Sequence, residues 1–306
     1  MLTVRSMRCA LVLGVAFVVI SVLAAAACAE TKWPNALSYS VGVSSDETAK
    51  IQTSAALSGP LSESFGAKIG GWWITGGTDN RAFLGDAYID YHKRELYLAG
   101  GRKFVPFGQV GLLVSPGIEG GEVKVGSDRV TLQAIAGRLA FTPVTGGTRF
   151  TFAGNRGPVD ENIVAGRLSF RLTEPPSTVG ATLGVNALHL MDDTGWSGDL
   201  VIDANKWLAL FGESATFNSV DAHVYGLRLS NQQLVKDPTE YTMLVLYRRN
   251  VPVGFLPAQV GATQFFENQT GWAGGIYHQF DARYGLGLYA DEDNAILTLF
   301  GYVPLR

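Results

Sequence analysis

Four histidines and the serines near them are the side chains in this sequence best suited to acid–base or nucleophilic chemistry. A serine hydrolase needs a histidine within hydrogen-bond reach of its serine and a third group that orients the ring. Serines lie near His223 at Ser214, Ser219 and Ser230. The segment around Ser197, Gly-Trp-Ser-Gly, lacks the spacing of a nucleophile elbow. We therefore expect no enzyme, and the group around His223 is the one to check.

Two acidic clusters offer oxygen ligands of the kind that calcium prefers. One joins Asp192 and Asp193 with Asp199, and the other is the run Asp291–Asp293. Acidic residues in turns more often face solvent, so the sequence predicts no metal site and no cofactor.

Arginines recur along the chain in segments that alternate between polar and apolar residues. An arginine facing lipid near the middle of a bilayer costs roughly 2–4 kcal/mol, so we expect most of them to face a polar interior and to meet acids there. The predicted lumen-lining set is Arg102, Arg149, Arg167, Arg171, Arg228, Arg283, Asp86, Asp90, Glu95, Glu122, Asp199 and Asp203.

Two interpretations of this set stay open. It forms a polar ladder that guides solutes, with a mild anion preference where arginine outnumbers acid, or a charge network that braces the inner wall. Further strand arginines are Arg138, Arg248 and Arg249, and Arg138 falls on the face opposite Gln133 unless Gly137 marks a bulge.

The elements that position these residues are β-strands. Between Asn162 and Leu172, Val164, Leu168 and Phe170 fall on one face and the arginines on the other, and similar alternation recurs along most of the chain. Beyond residue 29 no apolar stretch is long enough to span a membrane as a helix. The polar faces are dominated by Gly, Ser, Thr and Arg, whereas the second faces are apolar and often end in an aromatic residue. This pattern predicts a transmembrane β-barrel with a polar interior.

Tryptophans near the predicted strand ends support this prediction, because their amphipathic rings favour membrane interfaces. The predicted aromatic girdle comprises Trp72, Trp73, Trp196, Trp207 and Trp272. The alternative is that these are ordinary core aromatics.

The first 29 residues read as a cleaved signal peptide. Arg5 and Arg8 precede an apolar run, and Ala27-Cys28-Ala29 forms a small-residue cleavage site before polar sequence begins. Both cysteines, Cys9 and Cys28, lie in this leader, so the predicted barrel, residues 30–306, has no disulfide. Lipidation of Cys28 is the less favoured alternative.

Composition excludes other classes of protein. Charged residues make up 17% of the chain, below the roughly 25% of soluble domains, which favours a membrane-embedded surface. The net charge of −3 provides no basic surface for nucleic acid.

About eighteen candidate strands suggest an antiparallel all-β barrel of roughly 14–18 strands, wide enough to enclose water. The longest interruption, Phe104 to Ile118, is too apolar for a free surface loop. We expect it either to fold into the lumen as a constriction loop or to contain a further strand at Val110–Val114. The candidate constriction residues are Phe104, Phe107, Leu112, Leu113 and Pro116.

The order of "LYLAGGRKFVPFG", "GGEVKV" and "VTLQAIAGR" resembles the strand–loop–strand signature of alginate-export and carbohydrate-selective porins. The resemblance covers about a fifth of the chain. Glu119-Gly120-Gly121 departs from the usual acid-Gly-hydrophobic motif, and the chain ends in "GYVPLR" rather than in phenylalanine. The resemblance implies a passive channel without naming its substrate.

The sequence thus predicts a porin-like channel for small hydrophilic solutes in the outer membrane of a diderm bacterium. Its expected partners are outer-membrane lipid, the transported solutes and the barrel assembly machinery, and homo-oligomerisation is left open. The rival from another class is a closed or plugged barrel that serves as a structural or adhesion protein of the envelope.

Overall fold

The structure is a computed structural model that describes residues 34–44, 51–76, 79–108, 111–115, 117–141, 143–146, 150–153, 161–173, 179–234, 240–252, 255, 269–281, 283–291 and 295–304. Its strands are β1 Ala36–Ser44, β2 Ile51–Pro60, β3 Phe65–Gly76, β4 Asp79–Lys93, β5 Leu96–Phe104, β6 Gly117–Gly126, β7 Val130–Phe141, β8 Pro143–Gly146, β9 Phe150–Ala153, β10 Asn162–Arg171, β11 Gly180–Leu190, β12 Asp193–Asp203, β13 Leu208–Phe217, β14 Val220–Ser230, β15 Tyr241–Val251, β16 Gln269–Gln279, β17 Tyr284–Asp291 and β18 Ala295–Pro304. Within these residues no helix is long and apolar enough to cross a membrane.

Sixteen of the described strands form one closed antiparallel barrel in which chain neighbours pair. Closure comes from β1, which pairs with β2 along one edge and with β18 along the other. The remaining two strands, β8 and β9, form a separate hairpin between β7 and β10, and β10 pairs directly with β7. The number of barrel strands lies within the range of roughly 14–18 expected from the sequence.

The strand directions define two rims. The terminal rim is the one at which β1 begins and β18 ends, and the loop rim is the opposite one. The loop rim carries the three longest connections, residues 105–116, 142–161 and 252–268. The expected constriction segment therefore leaves from the loop rim, after the fifth strand.

Short polar side chains form the hydrogen bonds that close the turns at the terminal rim. The turns are therefore recognisable in the sequence from their Asn, Asp and Ser residues. Asn205 Oδ1 accepts hydrogen bonds from the backbone N–H groups of Trp207 and Leu208, both at 2.9 Å. Asp281 Oδ1 accepts from Tyr284 N at 3.2 Å, and Ser62 Oγ accepts from Phe65 N at 3.2 Å. Side chains of this type mimic a backbone turn and reverse the chain within a few residues.

The two faces of the sheet differ as the alternation predicts. The outer face presents leucines and valines that are exposed to the surroundings, such as Leu168, Leu200 and Leu288. The inner face carries the buried charged groups, among them Asp199 at 2% and Arg249 at 2% exposure. An apolar outside and a polar inside suit a barrel surrounded by hydrocarbon.

Candidate functional site: the inner wall

The connection after β5 lies inside the barrel. Residues 105–115, here called the inner segment, are described except for 109 and 110. Phe107, Leu112 and Leu113 are each 0% exposed. Burying such side chains contributes roughly 1.5–3 kcal/mol apiece, so the inner segment is held firmly. The described part of Val110–Val114 is not a strand, which rules out that alternative for residues 111–114.

The inner segment packs against apolar side chains of the inner face near the loop rim. One continuous cluster joins its residues to the inner face of strands from β6 to β17. Members of this cluster include Ile118, Ile135, Leu139, Ile163, Leu188, Leu190, Phe217, Val224, Val251 and Phe255. Apolar side chains would be unfavourable in a water-filled lumen, and these occur on inward faces because the inner segment covers them.

Glu213 of β13 anchors the inner segment by its carboxylate. Its two oxygens accept hydrogen bonds from the backbone N–H groups of Leu112, at 3.0 Å, and Leu113, at 3.3 Å. Ser197 also donates to Glu213 at 3.0 Å. A buried carboxylate is costly without such donors, so the backbone of the inner segment and Glu213 satisfy each other.

Gly108 lets the inner segment approach the wall closely. Its φ of +74° lies in the left-handed region, where a side chain is strained. A Cβ at this position would lie 3.1 Å from Asp199 Cγ and 3.2 Å from Arg167 Nη1. Glycine is therefore favoured after Phe107 for steric reasons, because a side chain at residue 108 would crowd the wall.

Arg167 and Asp199 form the centre of a buried polar cluster. Arg167 of β10 binds Asp199 of β12 through both guanidinium nitrogens, with Nη2 at 3.0 Å from Oδ1. Asn186 of β11 accepts from Arg167 at 2.8 Å and donates to Ser197 at 2.8 Å. The chain of hydrogen bonds continues through Ser197 to Glu213, so it links four neighbouring strands to the inner segment.

A second cluster lies on the wall formed by β3 to β7. Lys103 binds Glu122, and Glu122 also accepts from Gln133 at 2.7 Å. Lys103 donates to Tyr97 Oη at 2.5 Å and lies 4.5 Å from the centre of that ring. Nearby, Lys68 and Asp86 form an ion pair at 2.6 Å. Both ion pairs join adjacent strands of the wall.

A third cluster lies on β15 and β17. Arg249 and Asp291 form an ion pair at 3.2 Å, and Arg249 also donates to Tyr289 Oη at 3.3 Å. The hydroxyls of Tyr247 and Tyr289 are 2.9 Å apart. Closer to the terminal rim, Arg228 lies 3.5 Å from Asp203 in a more exposed pair.

Basic and acidic side chains are nearly balanced on the inward positions of the barrel strands whose side chains are described. The seven basic ones are Lys68, Lys103, Lys124, Arg167, Arg171, Arg228 and Arg249, and the eight acidic ones are Asp86, Asp90, Glu122, Asp193, Asp199, Asp203, Glu213 and Asp291. Within the described chain, Arg171 and Lys124 have no acidic partner, whereas the other basic residues do. Most of the charge therefore serves cross-strand ion pairs.

The wall away from the inner segment carries small residues. On β1 and β2 the inward positions include Ser40 and Ser54, whose hydroxyls are 2.7 Å apart. On β17 they include Gly285 and Gly287. In this part of the wall these inward positions therefore carry short side chains or none.

The structure corrects three predicted lumen residues. Arg102 shares the outer face with Leu98 and forms an ion pair at 3.1 Å with Glu119, because its position in β5 is one residue out of phase with the lumen. Glu95 is exposed in the turn between β4 and β5, and Arg283 is exposed in the turn between β16 and β17. A turn residue at the terminal rim has no access to the interior wall.

The other predicted residues fall as follows. Asp86, Asp90, Glu122, Arg167, Arg171, Asp199, Asp203 and Arg228 occupy inward positions. Phe104 is partly buried at the end of β5, whereas Arg149 and Pro116 lie outside the described residues. Arg138 lies on the outer face opposite Glu119, with no bulge at Gly137.

Predicted girdle tryptophans occupy both rims. Trp196 and Trp272 are exposed on the outer face near the loop rim, and Trp207 is exposed at the terminal rim. Trp73 is partly buried in β3, and the side chain of Trp72 is outside the described residues. The terminal rim adds aromatic pairs that the sequence did not single out, Phe65 with Tyr91 at 5.0 Å and Phe280 with Tyr284 at 5.3 Å.

Sequence reasoning overlooked Lys68, Lys103 and Tyr97 because it searched the strands for arginine and acid. The available signal was parity: Lys103 is an even number of residues from Tyr97, and in β5 both share a face with Ala99, which is buried. Counting every polar residue on that face would have found them.

The group around His223 contains a hydrogen bond but not a triad. Ser214 Oγ and His223 Nδ1 are 2.9 Å apart on the outer face. Within the described residues His223 has no third group that orients it. The arrangement therefore lacks the member that general-base catalysis by a serine–histidine pair requires.

No protein-family model and no curated protein matches the sequence. Among solved structures, the chain is similar to OprB of Pseudomonas putida at low pH, with a TM-score of 0.55, 12% identity, and coverage of 91% of this chain and 95% of that one. The high-pH structure of the same protein gives a TM-score of 0.53 and 13% identity, covering 91% and 96%. A BenF-like porin from Pseudomonas fluorescens Pf-5 matches at a TM-score of 0.47 with 12% identity, covering 88% and 97%.

At these identities the likeness concerns the fold, and the two OprB comparisons support it over nearly the whole of both chains. The more specific resemblance to alginate-export proteins stays a prediction. The closed antiparallel wall, its apolar outer face and the two OprB comparisons together assign the chain the porin-like β-barrel fold of outer-membrane proteins.

Proposed function

We propose that this protein is an outer-membrane channel through which small hydrophilic solutes diffuse passively. The observation that supports this proposal most strongly is the composition of the inner wall. A docked inner segment narrows a sixteen-strand barrel on one side, while ion pairs and small polar residues line the rest. Barrels of this width enclose water rather than a filled core.

The charge balance of the wall suggests weak ion selectivity. Most inward arginines are paired with carboxylates and brace neighbouring strands, so they add little net field along the channel. Arg171 and Lys124, which lack an acidic partner among the described residues, would supply a mild anion preference near the terminal rim. On this proposal the paired arginines brace the inner wall, whereas Arg171 and Lys124 belong to the polar ladder that guides solutes.

The rival function is a closed structural barrel. The complete burial of Phe107, Leu112 and Leu113 favours it, since a firmly docked segment could close the lumen instead of narrowing it. Conductance distinguishes the two functions directly.

The test is reconstitution of heat-modifiable, folded protein in planar lipid bilayers. The channel predicts stepwise increases in conductance, and folded protein without steps would establish the closed barrel instead. Site-specific blocking sharpens the measurement. In a Cys9→Ser, Cys28→Ser background, Ser54→Cys places a thiol on the inner wall, and Leu286→Cys places one on the outer face.

A bulky cationic methanethiosulfonate should lower the conductance of the Ser54→Cys variant and leave that of the Leu286→Cys variant unchanged. An equal effect on both variants would show that the current does not pass through the barrel interior.

A further inference from the structure

A groove lies on the outer face of the barrel, across β11 to β16. It is a cavity of about 1020 Å³ whose lining comes mostly from outward-facing residues. We call it the outer groove. Twelve of its sixteen lining residues face outward, and the other four, Asp199, Phe211, Glu213 and Val224, belong to the inward face of the same strands.

The outer groove is polar at the end that lies towards the loop rim. Ser214, His223, Asn250 and Thr270 follow one another across four strands in a single row. The first two share a hydrogen bond of 2.9 Å, and Thr270 donates to Asn250 at 3.3 Å. Such a row interrupts an outer face on which leucine, valine and isoleucine are the most frequent exposed large side chains.

Towards the terminal rim the outer groove is apolar. Its walls are formed by Leu183, Leu200, Ile202 and Leu210. Its floor contains Gly198 and Gly212, where the outer face lacks side chains. A Cβ at Gly198 would have no neighbour closer than 3.9 Å, so this position is open space rather than packed wall.

Arg248 stands beside the polar row on the outer face. It is exposed, and within the described chain it has no hydrogen-bonding or ionic partner. In the register of β15 and β16 it lies directly opposite Trp272, an exposed aromatic residue of the type that favours membrane interfaces. An arginine on a lipid-facing surface is costly unless an anion or water satisfies it.

Among the described residues of β14, the acid on the outer face is Asp221, two residues from His223, and it already accepts a hydrogen bond from Thr216 at 2.6 Å. If a second copy of the chain occupied the outer groove, it would have to insert a carboxylate into this concave surface to neutralise Arg248. A phospholipid supplies both an anionic phosphate and acyl chains of the shape that the groove accommodates.

We propose that the outer groove is a binding site for one anionic phospholipid. The phosphate is bound by Arg248 with help from His223 and Asn250, and an acyl chain lies over Gly198 and Gly212 between the leucines.

Native mass spectrometry of the folded chain in detergent tests this assignment, with phosphatidylglycerol and phosphatidylcholine added at equal concentration. We expect one phosphatidylglycerol molecule to be retained in preference to phosphatidylcholine by about fivefold, as one basic residue near an anionic lipid provides. Arg248→Gln should remove this preference. The matched control is Arg138→Gln, another outer-face arginine, which lies opposite Glu119 and should keep the preference.

The acyl part of the site has its own pair of variants. Gly198→Leu should fill the outer groove and reduce retention of both lipids. Gly166→Leu adds the same side chain to the outer face of β10, where a Cβ meets nothing within 4 Å, and should leave retention unchanged. Heat-modifiable migration of each variant verifies folding.

Three results would overturn the proposal. Equal losses for Arg248→Gln and Arg138→Gln would indicate a general charge effect. Unchanged retention in Gly198→Leu would remove the acyl subsite. Displacement of the lipid by millimolar inorganic phosphate alone would show that the site binds the phosphate group and not the lipid. None of these results depends on whether the barrel conducts.

Discussion

Arg248 and Arg249 are consecutive residues of β15 whose side chains leave the strand on opposite faces of the barrel. Arg249 is buried on the inner wall, where it pairs with Asp291 at 3.2 Å, and Arg248 is exposed outside. Alternation in a strand makes this unavoidable. Two identical side chains therefore have different environments and different roles.

The two arginines should contribute very differently to stability. Arg249→Met leaves Asp291 without its ion-pair partner in a buried setting, a loss of about 3–5 kcal/mol where water does not compensate. Arg248→Met removes a charge from an apolar face and should not destabilise the barrel. Urea unfolding followed by tryptophan fluorescence measures both. Similar midpoints for the two variants would mean that the Arg249–Asp291 pair does not brace the wall.

Glu213 should control how tightly the inner segment is held. Glu213→Ala removes the acceptor for the N–H groups of Leu112 and Leu113, each worth about 1.5–3 kcal/mol as a hydrogen bond to a charged group. The released segment should give a larger or noisier single-channel conductance and become a target for limited proteolysis. Glu213→Gln keeps one acceptor oxygen and should behave in between. A conductance unchanged in Glu213→Ala would show that the anchor does not set the width of the channel.

Gly108 should be intolerant of a side chain. Gly108→Ala places a Cβ 3.1 Å from Asp199 Cγ in a left-handed backbone conformation, which alone costs roughly 1–2 kcal/mol. Gly166→Ala is the control, since its Cβ meets open space. The urea midpoint should fall for the first variant and stay within error for the second. Equal midpoints would mean that the inner segment adapts freely at this turn.

Ion selectivity should depend on Arg171, which has no acidic partner among the described residues. Arg171→Ala should shift the reversal potential in a potassium chloride gradient towards cation preference and leave stability unchanged. Arg167→Ala exposes the charge of Asp199 and should both shift selectivity and lower the unfolding midpoint, by about 3–5 kcal/mol if the site stays dry. If the reversal potential of the Arg171→Ala variant did not change, the inward arginines would have a structural role only.

Sequence and structure agree on the wall of the barrel for a simple reason. Strand alternation and turn chemistry are local, so Asn205 and Asp281 mark turns in the sequence as clearly as they close them in the structure. The strand range, the polar interior and an unusual segment after Phe104 followed from such local signals.

The face of each charged residue was harder to predict. Arg102 and Arg167 both follow glycine in similar motifs, yet one is outside and the other inside. The phase of a strand relative to the lumen depends on its partners and on irregularities such as the register shift between Ile69 and Gly71. A sequence of alternating residues defines two faces but does not say which one is interior.

The sequence by itself determined that this chain forms a wide antiparallel barrel with one polar and one apolar face, because periodicity and composition act within a strand. Only the tertiary structure decided where the inner segment docks, since Glu213 and Leu112 are separated by about a hundred residues and meet through closure of the wall. The same closure set the faces of Arg248 and Arg249 and brought the outer groove together from six strands.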